Sequence, residues 1–457
     1  MGSLSNSSLL QAALGEAHTT YTNKNAQSRK QHEKATQYLP GGNTRTVLHS
    51  SPFPITVTSG SGPTLTTLDG HKYVDFLGEY TAGIYGHNHP VIKAALQEAI
   101  EKGWNYGAHN ELEPELARLI VERFPALDLV RFVNSGTEAN MMALATALAY
   151  TGKKKILLFE KGYHGSTISG RTPSTKKTIN LPHDFVVATY NDLEGTRALV
   201  ESLPKDSLAA ILIEPMLGSG GCYPATNDFL AELRRLSTEN KALLIFDEVM
   251  TSRLTYRGLG PTTGVTPDLM TLGKWVGGGM SFGLFGGRKE VMKLYDPRDG
   301  TLEHPGTFNN NIFTMTAGVA GCNLLTEEKV SALNSLGDTL RSQIDDVLVS
   351  REINRTGDHV LPLPTRPVAD DMHSVSNPQH PPKMFIRGVG SLNAIHFAGP
   401  DREVLQGLFY HHMLENGFWT AQRGFIALNI EITPEHVGAF VKAVDDFVVR
   451  YDSSLRW

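Results

Sequence analysis

The amino-acid sequence predicts an α/β protein in which helices cover a mostly parallel sheet, followed by a smaller region that mixes strands and helices. Three observations lead there. Short Val/Ile/Leu-rich runs alternate with longer helical patterns through the middle of the chain, as expected of strands buried on both faces. Two of those runs close on charged residues, Asp247 and, 27 positions later, Lys274, and open parallel sheets bind ligands at such strand ends. The 457 residues, 40% hydrophobic and 19% charged, are enough for one large core and a second domain.

In chain order, residues 1 to about 30 are polar and lack the apolar stretch of a signal peptide. They also fail the myristoylation pattern, because Asn6 stands where Ser or Thr is required. No run of 18 apolar residues occurs, so the expectation is a soluble, cytoplasmic protein. Residues 1–70 are assigned to a smaller domain, 71–325 to the large α/β domain and 326–457 to the remainder of the smaller one. Strands are expected at Val130–Asn134, Lys155–Phe159, Ala209–Ile213, Ala242–Phe246, Leu269–Leu272 and Phe282–Phe285. A helix is expected over Asn110–Phe124, with Leu112, Leu116, Leu119, Ile120 and Phe124 on one face. Residues 355–383, rich in Pro, Asp and His without periodicity, predict a surface insertion. From Met384 the alternation of strands and helices resumes.

Composition removes several function classes. A formal charge of −5, with no basic run interleaved with aromatics, gives no footprint for nucleic acid or anionic lipid. Cys222 and Cys322, the two cysteines, are too few for a disulfide framework and lack zinc-site spacing. Gly86-His-Asn-His-Pro90 reads as a turn, since no Cys or carboxylate lies near it in sequence to complete a metal site. Gly273-Lys274 is not a nucleotide-binding P-loop, because Trp275 replaces the required hydroxyl residue.

Chemistry concentrates at four places. A lysine at the end of a core strand is seldom buried without a partner, which makes Lys274 a candidate nucleophile or carbonyl-condensing amine. Asp247 puts a carboxylate at the same sheet edge, where it either caps a turn or faces a cationic group such as a protonated pyridine nitrogen. Ser135-Gly-Thr-Glu138 has capping-box spacing between a strand and a helix, so it is a plain cap or an anion cradle. Gly162-Tyr-His-Gly165 follows another strand and offers an aromatic face, for a cofactor ring or for the core.

Together these elements resemble the class III aminotransferases, fold type I enzymes that use pyridoxal 5′-phosphate (PLP). The resemblance runs from Tyr38-Leu-Pro-Gly-Gly42 to Arg423-Gly424. It rests on Asn134-Ser-Gly-Thr-Glu-Ala139, Gly162-Tyr-His-Gly165, Ile213-Glu-Pro215, Phe246-Asp-Glu-Val249, Leu272-Gly-Lys274 and Gly306-Thr-Phe308. It implies a mostly parallel seven-stranded sheet in a large domain, plus a smaller α+β domain. It also implies that Lys274 carries the cofactor as a Schiff base and shuttles the proton, that Asp247 pairs with the pyridine nitrogen, and that Tyr163 and Val249 flank the ring. Ser135, Gly136 and Thr137 would hold the phosphate, Glu214 would order the local network, and His164 would support Tyr163. Thr307 would reach the phosphate of a neighbouring subunit, which makes the enzyme a homodimer with its active sites at the interface. No metal is implied.

Within the family, Pro40-Gly-Gly-Asn-Thr-Arg-Thr-Val47, Ser51-Pro-Phe-Pro54, Glu79-Tyr-Thr-Ala-Gly83, Asp247-Glu-Val-Met-Thr-Ser-Arg253, Gly277-Gly-Gly-Met-Ser-Phe-Gly283 and Gly306-Thr-Phe-Asn-Asn-Asn311 are similar to the β-amino acid, or β-phenylalanine, aminotransferases. That likeness implies that Arg45 receives the carboxylate of the amine donor and Arg423 the α-carboxylate of a 2-oxo acid acceptor, 2-oxoglutarate or pyruvate. Bidentate guanidinium pairing suits both tasks. Two other expectations share some motifs: an aminomutase of the glutamate-1-semialdehyde type, against which a second carboxylate clamp argues, and a non-catalytic PLP-binding regulator, for which no DNA-binding segment is visible. The 355–383 insertion is longer than the family pattern demands.

Overall fold

The computed structural model describes residues 6–170, 178–354 and 382–456, so most of the predicted insertion, residues 355–381, lies outside the described residues. A seven-stranded sheet forms the centre. Its strands are β4 (Leu129–Val133), β5 (Lys155–Phe159), β6 (Asp184–Ala188), β7 (Leu208–Ile213), β10 (Leu243–Asp247), β11 (Leu269–Gly273) and β12 (Gly283–Gly287). They lie in the order β4-β12-β11-β10-β7-β5-β6, and β12 runs antiparallel to both its neighbours while the other pairings are parallel.

Every residue of β7 and β10 is buried, because helices cover both faces of the sheet and leave no side for polar residues. Alternate residues feed two cores. Leu157, Ile211, Ile213, Leu244 and Phe246 pack on one face, and Ile156, Leu158, Ala210, Leu212 and Ile245 on the other, the period of two that a strand imposes. Register places Asp247 beside Thr271 across the β10–β11 pair, so both strands end at one edge.

The short pair β8 (Met216–Leu217) and β9 (Tyr223–Pro224) follows β7, and β13 (Met384–Val389), β14 (Leu392–Phe397) and β16 (Phe425–Ala427) form an antiparallel three-stranded sheet. Four short strands outside the large sheet matter to the site. Strands β1 (Val57–Ser61), β2 (Thr64–Thr67) and β3 (Lys72–Asp75) form an antiparallel meander, and β15 (Phe418–Trp419), from the far end of the chain, pairs with β3 in parallel. Helix α1 (Asn6–Lys24) buries Leu10 and Tyr21, and is followed by α2 (Ala26–Ala35). Helices α3 (Pro90–Lys102) and α4 (Leu112–Arg123) precede the sheet, and α4 buries Leu116 and Ile120 as its spacing predicts. Helix α5 (Gly136–Thr151) follows β4. Among the described residues no helix is long and apolar enough to cross a membrane.

Candidate active site

The turn from β4 into α5 is built around Ser135. Its side chain accepts from the Glu138 amide at 3.1 Å, capping the helix. Glu138 completes only part of the predicted box, since its carboxylate accepts from the amide of Asn134 at 2.8 Å rather than from that of Ser135. Gly136 and Thr137 are the first residues of the helix, so their amides have no carbonyl four residues back and carry the positive end of the helix dipole. Space here is tight. A Cβ on Gly136 would lie 2.8 Å from a Val249 methyl, and one on Gly165, at φ +119, would lie 2.3 Å from Thr137 Cγ2. A Cβ on Gly273 would stand 3.4 Å from Val249 and 3.5 Å from the Gly136 nitrogen. The ends of β4, β10 and β11 therefore converge on one small space, with Ser135–Thr137 on one side, Val249 on another and Lys274 one residue on from Gly273.

Asp247 is 4% exposed. Its Oδ2 accepts from Asn140 Nδ2 at 2.7 Å and pairs with His164 Nδ1 at 2.8 Å, and its Oδ1 accepts from the Val249 amide at 3.0 Å. Thr271 donates to Asn140 Oδ1 at 2.7 Å, so α5, β10, β11 and the loop after β5 hold one buried network. Among the described residues the one ion-pair partner of Asp247 is His164. Glu214, just past β7, accepts from the Tyr163 amide at 2.9 Å and the Gly218 amide at 3.0 Å. Burial pushes its carboxyl up to about 7, the nearby Asp247 adds to the shift, and His164 and the two amides oppose it. Tyr163 is 40% exposed at the sheet edge.

Lys274 starts a short 3-10 turn in the left-handed region, at φ +56. A non-glycine residue there costs ~1–2 kcal/mol, and such strain gathers at working sites. Its neighbour Trp275 is fully buried, donates to Ser252 Oγ at 2.9 Å, and lies under the Arg123 guanidinium at 4.6 Å, which fixes the turn. The Lys274 amine is drawn down to about 8 by burial, against the pull of Asp247 and Glu214. It donates to the carbonyl of Tyr80 at 2.7 Å.

That carbonyl belongs to a turn in which Gly78, Glu79, Tyr80 and Thr81 all have φ between +49 and +82. Asp75 pins the start of the turn, accepting from the amides of Leu77 at 2.8 Å and Gly78 at 3.0 Å, while His87 pairs with its other oxygen. His89 caps α3, so both histidines of Gly86–Pro90 serve the backbone and the turn. The Tyr80 ring has the Arg45 guanidinium at 5.8 Å and that of Arg423 at 5.4 Å. Arg423 also donates to Ser219 Oγ at 3.0 Å, and Arg45 donates to Glu79. Thr307 is exposed on a turn whose Asn309 accepts from Asn134 Nδ2 at 3.1 Å.

The site therefore gathers Ser135, Gly136, Thr137, Tyr163, Glu214, Asp247, Val249 and Lys274 at one sheet edge, with Arg45 and Arg423 around Tyr80. Sequence reasoning missed Asn140 and Tyr80. Asn140 carried a signal, a lone amide on an otherwise apolar face of α5. Tyr80 stands in the quoted Glu79–Gly83 run, but neither its carbonyl on Lys274 nor its ring beside the two arginines carried a signal there.

This donor set fits PLP: a glycine-walled helix N-terminus for a phosphate, a buried carboxylate at the strand edge for a ring nitrogen, and a lysine amine of depressed basicity. Sheet and site define an enzyme of PLP fold type I. Residues 47–357 match the family model of the class-III aminotransferases, and the chain belongs to that family. It is 42% identical to the beta-phenylalanine transaminase of Variovorax paradoxus over 95% of this chain and 96% of that protein. The crystal structure of a beta-phenylalanine aminotransferase from the same organism superposes with a TM-score of 0.88 at 41% identity, covering 98% of this chain and 99% of the other. The glutamate-1-semialdehyde 2,1-aminomutase of Methanosarcina acetivorans is 40% identical over a shorter span, 72% of this chain and 80% of that enzyme. The protein is thus a PLP-dependent aminotransferase, acting on a small-molecule amine and a keto acid.

Proposed function

We propose that this aminotransferase moves the amino group of a β-amino acid, with an aromatic donor such as β-phenylalanine favoured, to a 2-oxo acid such as 2-oxoglutarate or pyruvate. The observation that carries the reading is the pair of guanidiniums, Arg45 and Arg423, on the Tyr80 ring whose own carbonyl holds Lys274. Two carboxylate clamps near one amine suit two carboxylated substrates taken in turn. Identity over nearly the whole length with a beta-phenylalanine transaminase supports it further.

Bound PLP supplies an electron sink for the charge left when the substrate carbon loses its proton. Ser135, Gly136 and Thr137 would hold the phosphate through helix-start amides and hydroxyls. Asp247, oriented by Asn140 and His164, would keep a proton on the ring nitrogen. Val249 and Tyr163 would flank the ring, and Glu214 fixes the Tyr163 backbone. Lys274 Nζ would hold the cofactor and, with its lowered basicity, would take the proton from the substrate carbon as general base. Thr307, on its exposed turn, would reach the phosphate of a second subunit, which would make the working unit a homodimer. Two buried free thiols, Cys222 and Cys322, suit the reducing cytoplasm.

The test is a donor panel of β-phenylalanine, β-alanine, α-amino acids and 1-phenylethylamine, followed by the absorbance of the bound cofactor. Arg45→Ala is expected to lose carboxylated donors selectively. Equal loss across the panel would remove Arg45 from recognition. Likeness to the aminomutases favours one other reading, which turnover of a semialdehyde without added keto acid would establish instead.

A further inference from the structure

Arg45 already has a carboxylate on it. Its guanidinium donates to Glu79 Oε1, and the two side chains are 44% and 55% exposed, at the border of the site. The position of Glu79 is set by its backbone: it sits at φ +49 inside the run of four left-handed residues that Asp75 pins, one residue before the carbonyl that accepts from Lys274. A side chain tethered by so costly a turn is placed on Arg45 by the fold. Arg423 is different. Among the described residues it forms no ion pair with a carboxylate and donates instead to the neutral Ser219 hydroxyl.

We propose that Glu79 is a specificity-determining residue, a built-in carboxylate that occupies Arg45 and that the carboxylate of an incoming amine donor must displace. The inference rests on Arg45 being the donor's carboxylate clamp. Binding at Arg45 is then an exchange of one carboxylate for another, whereas binding at Arg423 adds a charge pair. A donor without a carboxylate leaves the Arg45–Glu79 pair intact, so such an amine binds without stranding an unpaired guanidinium on the face of Tyr80. Glu79 therefore weakens carboxylated donors and tolerates uncharged ones. Exposed ion pairs are weak, and removing this competitor is worth about a two- to fivefold change in affinity.

The experiment compares the holoenzyme, Glu79→Gln, Arg45→Ala and the double variant in the donor half-reaction, with β-phenylalanine and 1-phenylethylamine as probes. Cofactor absorbance and Tm report whether the turn survives. Glu79→Gln keeps the shape of the side chain and is expected to lower the apparent KM for β-phenylalanine about two- to fivefold. It should leave 1-phenylethylamine within twofold and change nothing in the Arg45→Ala background. A higher KM for β-phenylalanine would mean that Glu79 serves only to orient Arg45, and equal shifts for both donors would mean damage to the turn; either overturns the proposal. If Arg45→Ala itself harms both donors alike, the clamp falls and Glu79 with it. If Arg45→Ala is selective but Glu79→Gln gives no gain, the Glu79 role alone falls.

Discussion

The amine of Lys274 should be nucleophilic at a pH where ordinary lysines are not. Burial draws it from 10.5 down to about 8, and Asp247 and Glu214 keep it from falling further. At pH 7.5 about a quarter of such amines are neutral, against about one in a thousand for an unperturbed lysine, a gain of roughly 200-fold. The assay is the rate of covalent capture of PLP by cofactor-free protein between about pH 6 and 10, divided at each pH by the rate per neutral molecule of Nα-acetyl-lysine amide, which removes the titration of PLP itself and leaves that of Lys274. The protein's own rate is expected to level off above about pH 8. Replacing Asp247 by Asn removes the first of the charges that hold the amine up, so its plateau should begin at lower pH. The stability of cofactor-free protein follows the same proton. Between the folded value of about 8 and the unfolded 10.5 the unfolded chain binds more protons, so this lysine costs stability at low pH and the cost disappears as pH rises through that window. A capture rate still climbing tenfold per pH unit beyond pH 9 would refute the reasoning.

Three other perturbations probe the cradle, the network and the interface. Gly136→Ala puts a Cβ 2.8 Å from a Val249 methyl, so PLP affinity is expected to fall about tenfold or more, with partial recovery in Gly136→Ala/Val249→Ala as read by equilibrium dialysis. Asp247→Asn turns an amide nitrogen toward a donor whichever way it is placed, because Asn140, His164 and the Val249 amide all face it. It should cost about 1.5–3 kcal/mol in thermal or urea unfolding and on the order of a hundredfold in kcat. For Thr307, mixing inactive Lys274→Ala with Thr307→Ala subunits is expected to restore up to about a quarter of full activity, since half the dimers are mixed and each then has one intact site. No gain on mixing would place Thr307 outside the neighbour's site.

Much of the large sheet was legible in the sequence because its strands are buried on both faces. Lys155–Phe159 was delimited to the residue, and β4, β7, β10, β11 and β12 shift by one or two. The edge strand β6, Asp184–Ala188, escaped although Phe185-Val-Val-Ala188 is apolar: the run is short, and at the sheet edge Ala188 alone of its five residues is buried. Helix α1 escaped for a similar reason: Leu10 and Tyr21 are its buried residues, too sparse to mark a face. At the site, strand-end placement predicted where Asp247 and Lys274 sit, since a parallel sheet brings its carboxyl ends together. The Tyr80 carbonyl and the left-handed turn that presents it were not legible. Three of the four residues there are not glycine, and nothing in their side chains announces positive φ.

The central claim is that Lys274 is the residue that carries PLP. Borohydride reduction of the holoenzyme followed by peptide mapping tests it directly. A pyridoxyl group is expected on Lys274 and none in Lys274→Ala; a label on a different lysine, or an unlabelled wild-type protein that still turns over, would contradict that role.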